Sequence, residues 1–198
     1  MIRSSLATCL IVAPMMGAAQ NVCPGPADRT KPIRIVFADD TVEVYRRQSG
    51  PVTRIEGFDG ATLTYTIEVV HGTHMLSYEA IVDGVPDRAS RIDYDYGLEP
   101  SAMQVPSPGG RWQVNAVFTD MDGSYPEAQA QAYGLLRTVQ IGACTYDGFD
   151  VYIAYDSADA YMETLIYLPA LELAYLYSSQ TADDPGVPVP PIAIGVAK

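Results

Sequence analysis

The chain has 198 residues, with 24 Asp and Glu against 12 Lys and Arg, a formal net charge of −12, and lysine only at Lys31 and Lys198. So acidic a chain lacks the basic side chains that phosphate contacts require, which excludes nucleic acid and an anionic membrane surface as partners. A hydrophobic fraction of 48% with 18% charged residues lies outside the regime of disordered chains and suffices to bury the core of one domain.

At the N-terminus, Arg3 supplies one positive charge, residues 6–17 are mostly apolar, and Gly17-Ala18-Ala19 offers the small residues that a signal peptidase reads. The pattern predicts a secretory signal over residues 1–19, cleaved near Ala19, with no Arg-Arg pair for twin-arginine export. An apolar run this short, interrupted by Pro14, cannot cross about 30 Å of hydrocarbon as a helix. The mature protein is therefore expected to be periplasmic or secreted and not membrane-spanning. Cleavage removes Cys9 and leaves Cys23 and Cys144, an even pair that an oxidising compartment joins as one disulfide. Such a bridge would tie the mature N-terminus to the second half of the fold, and chain-entropy reasoning values so long a ring at about 4–5 kcal/mol.

Downstream, a single β-rich domain is expected over residues 20–180. Residues 33–37 and 42–47 form a first hairpin around Asp39-Asp40. Leu63, Tyr65, Ile67 and Val69 alternate with Thr62, Thr64, Thr66 and Glu68, and then His74, Leu76, Tyr78, Ala80 and Val82 alternate with Met75, Ser77, Glu79 and Ile81. Both runs have the period of half-buried strands. Asp-Gly pairs at Asp59-Gly60, Asp83-Gly84, Asp122-Gly123 and Asp147-Gly148 are hairpin signals, because glycine accepts the positive φ of tight turns. Residues 88–96 add a third strand to this meander, and residues 97–110, rich in Pro and Gly, read as a long loop between two halves.

Trp112, Val114, Ala116 and Phe118 mark the next strand. Ser124-Tyr125-Pro126-Glu127 has the spacing of a capping box with Pro near the first helical position, and predicts one short helix over residues 125–136. Residues 138–145, 149–155, 162–168 and 171–178 complete the strands. Residues 181–198 hold four prolines and no periodicity, so a disordered Pro-rich tail is expected there. The result is a mainly β protein: an antiparallel curved sheet, half-barrel or barrel with a sandwich as the alternative, and one short helix.

His71 and His74, three apart around Gly72, are a candidate metal pair, since neutral imidazoles at short spacing hold zinc or copper; the same residues also read as a polar turn. Asp120-Met121-Asp122-Gly123 opens like a calcium loop, but its twelfth position is Gln131 where a bidentate Glu is needed, and a turn explains it equally. Asp93 and Asp95 share one strand face, which keeps a secreted hydrolase using Asp93, Asp95 or Asp122 as an alternative. There is no Gly-x-Ser-x-Gly elbow and no glycine-rich phosphate loop, and no cofactor is implied. Tyrosine is abundant, 14 residues, and crowds the last third at Tyr152, Tyr155, Tyr161, Tyr167, Tyr175 and Tyr177. Tyr152, Tyr155, Tyr167 and Tyr175 are the candidate lining of a ligand groove, because a tyrosine offers an apolar ring and a polar tip together.

Gly142-Ala143-Cys144-Thr145-Tyr146, followed by a strand, and Tyr167-Leu168-Pro169-Ala170-Leu171, leading into the final strand, resemble the closing hairpins of exported bacterial β-proteins related in architecture to the lipoprotein-carrier (LolA-like) half-barrels. That resemblance implies a curved antiparallel sheet around an apolar groove, with a lipid or acyl chain as guest, and it transfers no functional residue. The functional expectation is a non-enzymatic binding or accessory protein for an apolar ligand or an envelope partner protein. A hydrolase and a small outer-membrane β-barrel, whose strands alternate in the same way, are the alternatives.

Overall fold

A computed structural model describes residues 23–157 and 160–197; the expected signal over residues 1–19 lies outside them. Strands β1 (Ile33–Phe37), β2 (Thr41–Arg47), β3 (Val52–Asp59), β4 (Thr62–Val70), β5 (His74–Val82), β6 (Val85–Pro86) and β7 (Ile92–Asp95) occupy the first half. The second half holds β8 (Arg111–Asp120), β9 (Gly123–Tyr133), β10 (Arg137–Ile141), β11 (Cys144–Tyr155), β12 (Met162–Leu168), β13 (Leu173–Gln180) and β14 (Pro191–Val196). They form one antiparallel sheet in the order β13-β12-β11-β9-β8-β7-β5-β4-β3-β2-β1-β14, with β10 paired to β11 and β6 to β5. Helix is limited, among the described residues, to single 3-10 turns at Pro26–Asp28, Arg88–Ser90 and Pro100–Ala102.

The sheet is not closed, since β13 and β14 are its two edges. It curls instead, so that the inner face of β1–β3 packs on the outer face of β12 and β13, which are buried on both faces. Ile33, Ile35 and Phe37 of β1, Tyr45 of β2 and Ile55 of β3 share a core with Ile141 of β10, Ile166 and Leu168 of β12 and Tyr175 of β13. Phe37 and Tyr175 meet edge-on with ring centroids 6.2 Å apart. Full burial of each such side chain contributes about 1.5–3 kcal/mol. At the β4–β5 turn the backbones themselves touch: Gly72 sits at φ +77°, and a Cβ there would lie 2.8 Å from Ala174 N. A backbone hydrogen bond from Val189 N–H to Tyr177 C=O, 2.9 Å, leads the chain from one edge toward the other. The curved antiparallel sheet read from the sequence is thus present, as a single open curl.

Cys23 and Cys144 are joined, with Cα atoms 5.5 Å apart and a sequence separation of 121. Cys144 begins β11 and is 2% exposed, so the bridge anchors the start of the described chain to the core.

Three local expectations are corrected, and one strand, β3, is additional. Residues 125–136 are not a helix: residues 125–133 belong to β9, which pairs with β8 from Asp120↔Gly123 to Arg111↔Ala132. Ala, Gln and Glu favour helix intrinsically, but Glu127, Gln129, Gln131 and Tyr133 alternate with Ala128, Ala130 and Ala132 in the period of a strand, and tertiary packing overrides propensity. Pro126 is tolerated because β9 meets β11 only from Gln129 onward, leaving one side free there. The expected disordered tail contains β14, whose Ile194 is buried and pairs with Ile35 of β1; its prolines precede the strand or begin it. Strand β3 went unforeseen because its inward positions are Thr53, Ile55 and Gly57, two of which carry no apolar signal. Asp147-Gly148 lies inside β11 opposite Thr138 and Arg137, and the reversal falls instead between Ile141 and Cys144.

Candidate functional site

The inner face carries apolar side chains at one level and polar ones at another. At the polar level a cavity of about 590 Å³ is lined by Glu43, Tyr65, Ile67, Met75, Tyr78, Ile92, Tyr94, Phe118, Glu127, Tyr155, Ser157, Tyr161, Glu163 and Leu176. Its walls come from β2, β4, β5, β7, β8, β9, β11, β12 and β13, so only the curl of the whole sheet brings them together.

Two carboxylates in this wall are held alike. Glu43 Oε2 accepts from the Tyr45 hydroxyl, and Glu43 Oε1 accepts from the Tyr65 hydroxyl at 2.6 Å. Glu163 Oε2 accepts from Tyr155 at 2.8 Å and its Oε1 from Tyr161 at 3.0 Å. Each carboxylate therefore has one tyrosine donor per oxygen. Burial raises the pKa of both acids; the tyrosine bonds oppose it by favouring the ionised form but do not cancel it. The Glu127 charge pushes Glu163 further in the same direction. Burial first, and then the carboxylates, raise the Tyr65 and Tyr155 hydroxyls far above their ordinary value, so they act as donors.

The reach of Tyr65 to Glu43 depends on a glycine. Glu43, Gly57 and Tyr65 form one cross-strand row through β2, β3 and β4. The Tyr65 ring lies across the middle strand where a side chain would stand, and a Cβ on Gly57 would come 2.1 Å from Tyr65 Cζ. An aromatic ring covering a cross-strand glycine is a favourable pairing in antiparallel sheet. The other rings form a chain around the cavity. Tyr65 stacks on Tyr78 at 6.1 Å, Tyr94 meets Phe118 at 5.4 Å and Tyr155 at 6.5 Å, and Tyr155 meets Tyr161 at 5.4 Å.

Of the four tyrosines expected to line a groove, Tyr155 does so. Tyr167 and Tyr175 are core residues, each 3% exposed, and Tyr152 points outward at 44% exposed. Residues 152 and 155 differ by an odd number of positions, which places them on opposite faces of β11. His71 and His74 do not form a metal pair. His74 is fully buried; its Nε2–H donates to Gln104 C=O at 2.7 Å and its Nδ1 accepts from Gln131 at 3.1 Å, so neither nitrogen has a lone pair to offer. Trp112 packs on the ring at 4.3 Å, and burial lowers the pKa to about 4. His71 occupies the adjoining turn at φ +49°. Among the described residues no group of three or more His, Cys, Asp and Glu is arranged to hold a metal ion.

Asp93 is on the outer side, clamped by Arg91 through bonds of 2.8 and 2.6 Å, and Asp95 accepts from Gly97 N–H. Asp120 accepts from the Asp122 and Gly123 amides, closing the β8–β9 turn. These aspartates organise turns and surface, and none lines the cavity. The acids that do, Glu43, Glu127 and Glu163, were missed by the sequence reading. Their signal was a carboxylate in phase with inward residues: Glu43 with Tyr45, and Glu163 with Leu165 and Tyr167.

The fold and cavity define a class: an open, curled antiparallel sheet, tied by one disulfide, with a tyrosine and carboxylate cavity on its inner face. Comparison with family models, curated proteins and solved structures finds no match to the chain.

Proposed function

We propose that this is an exported binding protein, released from its signal near Ala19 into an oxidising periplasmic or extracellular space, that holds an apolar or mixed ligand in the inner cavity without transforming it. The observation that carries the reading is the cavity itself. Its volume of about 590 Å³ lies in the range of small-molecule sites, and Ile67, Met75, Ile92, Leu176 and Phe118 give it apolar wall that no side chain fills. The disulfide supports export, since such bonds persist in oxidising compartments. The open curl is the architecture that the resemblance to lipoprotein-carrier half-barrels implies, and makes an acyl chain a natural guest. An outer-membrane barrel fits less well: lipid does not sustain an open sheet edge, and Arg111, Gln113 and Asn115 are exposed along the outer side of β8.

Titration with Nile red, an uncharged dye that fluoresces when it leaves water, tests the reading. Saturable binding to the wild type that is lost in Ile92→Trp, where the larger ring fills the cavity, is expected. Binding that does not saturate, or that Ile92→Trp leaves intact, overturns it.

A further inference from the structure

We infer that the ligand of this cavity is an organic cation, an amine or quaternary ammonium group carried on an apolar body. The inference rests on the reading of the cavity as a binding site and specifies the chemistry of its guest. Among the described residues that line the cavity, the charged side chains are Glu43, Glu127 and Glu163, and none is Lys, Arg or His. The three acids enter from β2, β9 and β12, strands that are not neighbours in the sheet, so they are a property of the cavity wall rather than of one acidic stretch of chain.

Glu43 and Glu163 each receive one tyrosine hydroxyl per oxygen. Such an oxygen keeps a second acceptor position. The surrounding rings add to the selection. Tyr65, Tyr78, Tyr94, Phe118, Tyr155 and Tyr161 present aromatic surface around the acids, and the negative face of a ring attracts a cation and repels an anion. An anionic guest would bring its charge against three carboxyl groups in poorly solvated surroundings, where like charges repel strongly. A neutral guest would leave the carboxylates without a counter-charge. A compact, strongly hydrated cation gains little from the aliphatic wall of Ile67, Met75, Ile92 and Leu176, whereas a weakly hydrated ammonium on an alkyl body engages carboxylate, ring and aliphatic wall together.

The test is a matched series on one ten-carbon chain, decyltrimethylammonium, decanol and decyl sulfate, each below its micelle concentration, competing against Nile red on the full exported protein. The ammonium is expected to bind about tenfold or more tightly than the alcohol, with the sulfate weakest. Glu43→Gln and Glu163→Gln are expected to lower ammonium affinity about tenfold while changing that of the alcohol less than about twofold. If either variant fails to fold, Glu127→Gln, at a half-buried position, provides the same comparison. Equal binding of ammonium and alcohol, or a preference that survives all three substitutions, overturns the inference and leaves the apolar-ligand reading standing. Displacement of the dye by none of the three overturns both.

Discussion

The two levels of the inner face are made by the same strands in the same phase, yet they differ in chemistry. Along β11 the inward residues run from Phe149 through Val151 and Ile153 to Tyr155, and along β12 from Tyr167 through Leu165 to Glu163. Along β9 they run from Tyr133 through Gln131 and Gln129 to Glu127, and along β4 from Val69 through Ile67 to Tyr65. At the first level Phe149 and Val151 are fully buried and Tyr133 and Tyr167 nearly so. At the second, a cavity remains. The register aligns the steps between levels: Gln131, Ile153 and Glu163 lie side by side across β9, β11 and β12. On this face, position along the strand decides whether a residue belongs to packed core or to cavity wall, whereas Ile166, Leu168 and Tyr175, on the opposite face of β12 and β13, pack against β1–β3.

That contrast predicts unequal responses to truncation. Phe149→Ala, in the packed level, is expected to lose about 3–5 kcal/mol in urea unfolding, with Nile red affinity retained under native conditions. Tyr78→Ala, beside space that is already empty, is expected to lose less than half as much while weakening the dye. Equal losses would mean that the two levels are packed alike.

Acid titration sharpens the comparison between a buried polar group outside the cavity and those lining it. Folded His74 stays neutral down to about 4, whereas the unfolded chain takes up the proton near 6.5. The unfolded state therefore binds the extra proton in that window, so the contribution of His74 is complete above pH 6.5 and declines as pH falls to about 4, by about 3 kcal/mol at most. Glu43 and Glu163 act in the opposite sense. Their folded pKa values are raised, so their contribution is largest at low pH and is lost as pH rises through the folded values. An NMR titration of the His74 ring with a midpoint near 4 in the folded protein is expected, and a midpoint near 6.5 would refute the burial argument.

The smallest expected effect is the most specific to the cavity. Gly57→Ala forces the Tyr65 ring away from Glu43 and is expected to cost about 1–3 kcal/mol together with a loss of dye affinity. In the Tyr65→Ala background the same substitution should cost much less, and the double-mutant cycle measures that coupling. Additive losses would show that ring and glycine are independent.

The alternation of Leu63, Tyr65, Ile67 and Val69, the Asp-Gly turns at residues 59–60, 83–84 and 122–123, and the pair Cys23 and Cys144 made the antiparallel sheet and its disulfide legible without coordinates. The β9 segment was misread because Gln and Glu occupied its inward positions, where period-two reading looks for apolar residues, and β14 because its prolines masked a short paired strand. The cavity was legible only in fragments. Of the tyrosines expected to line a groove, Tyr155 faces the cavity, whereas Tyr167 and Tyr175 lie in the core and Tyr152 on the outer side, positions that depend on the curl of the sheet.

The sequence by itself determined the strand-rich class, most turn positions, the acidic net charge and the cysteine pair. These are local or compositional properties, carried by backbone preference, side-chain period and net charge. Only the tertiary structure decided which inward residues meet across the curl, because Glu43, Glu127 and Glu163 are far apart in the chain and face one cavity through the registers and curvature of an entire sheet. Neither can be read from any one strand, since each pairing depends on its neighbour and the curvature depends on all of them packing at once.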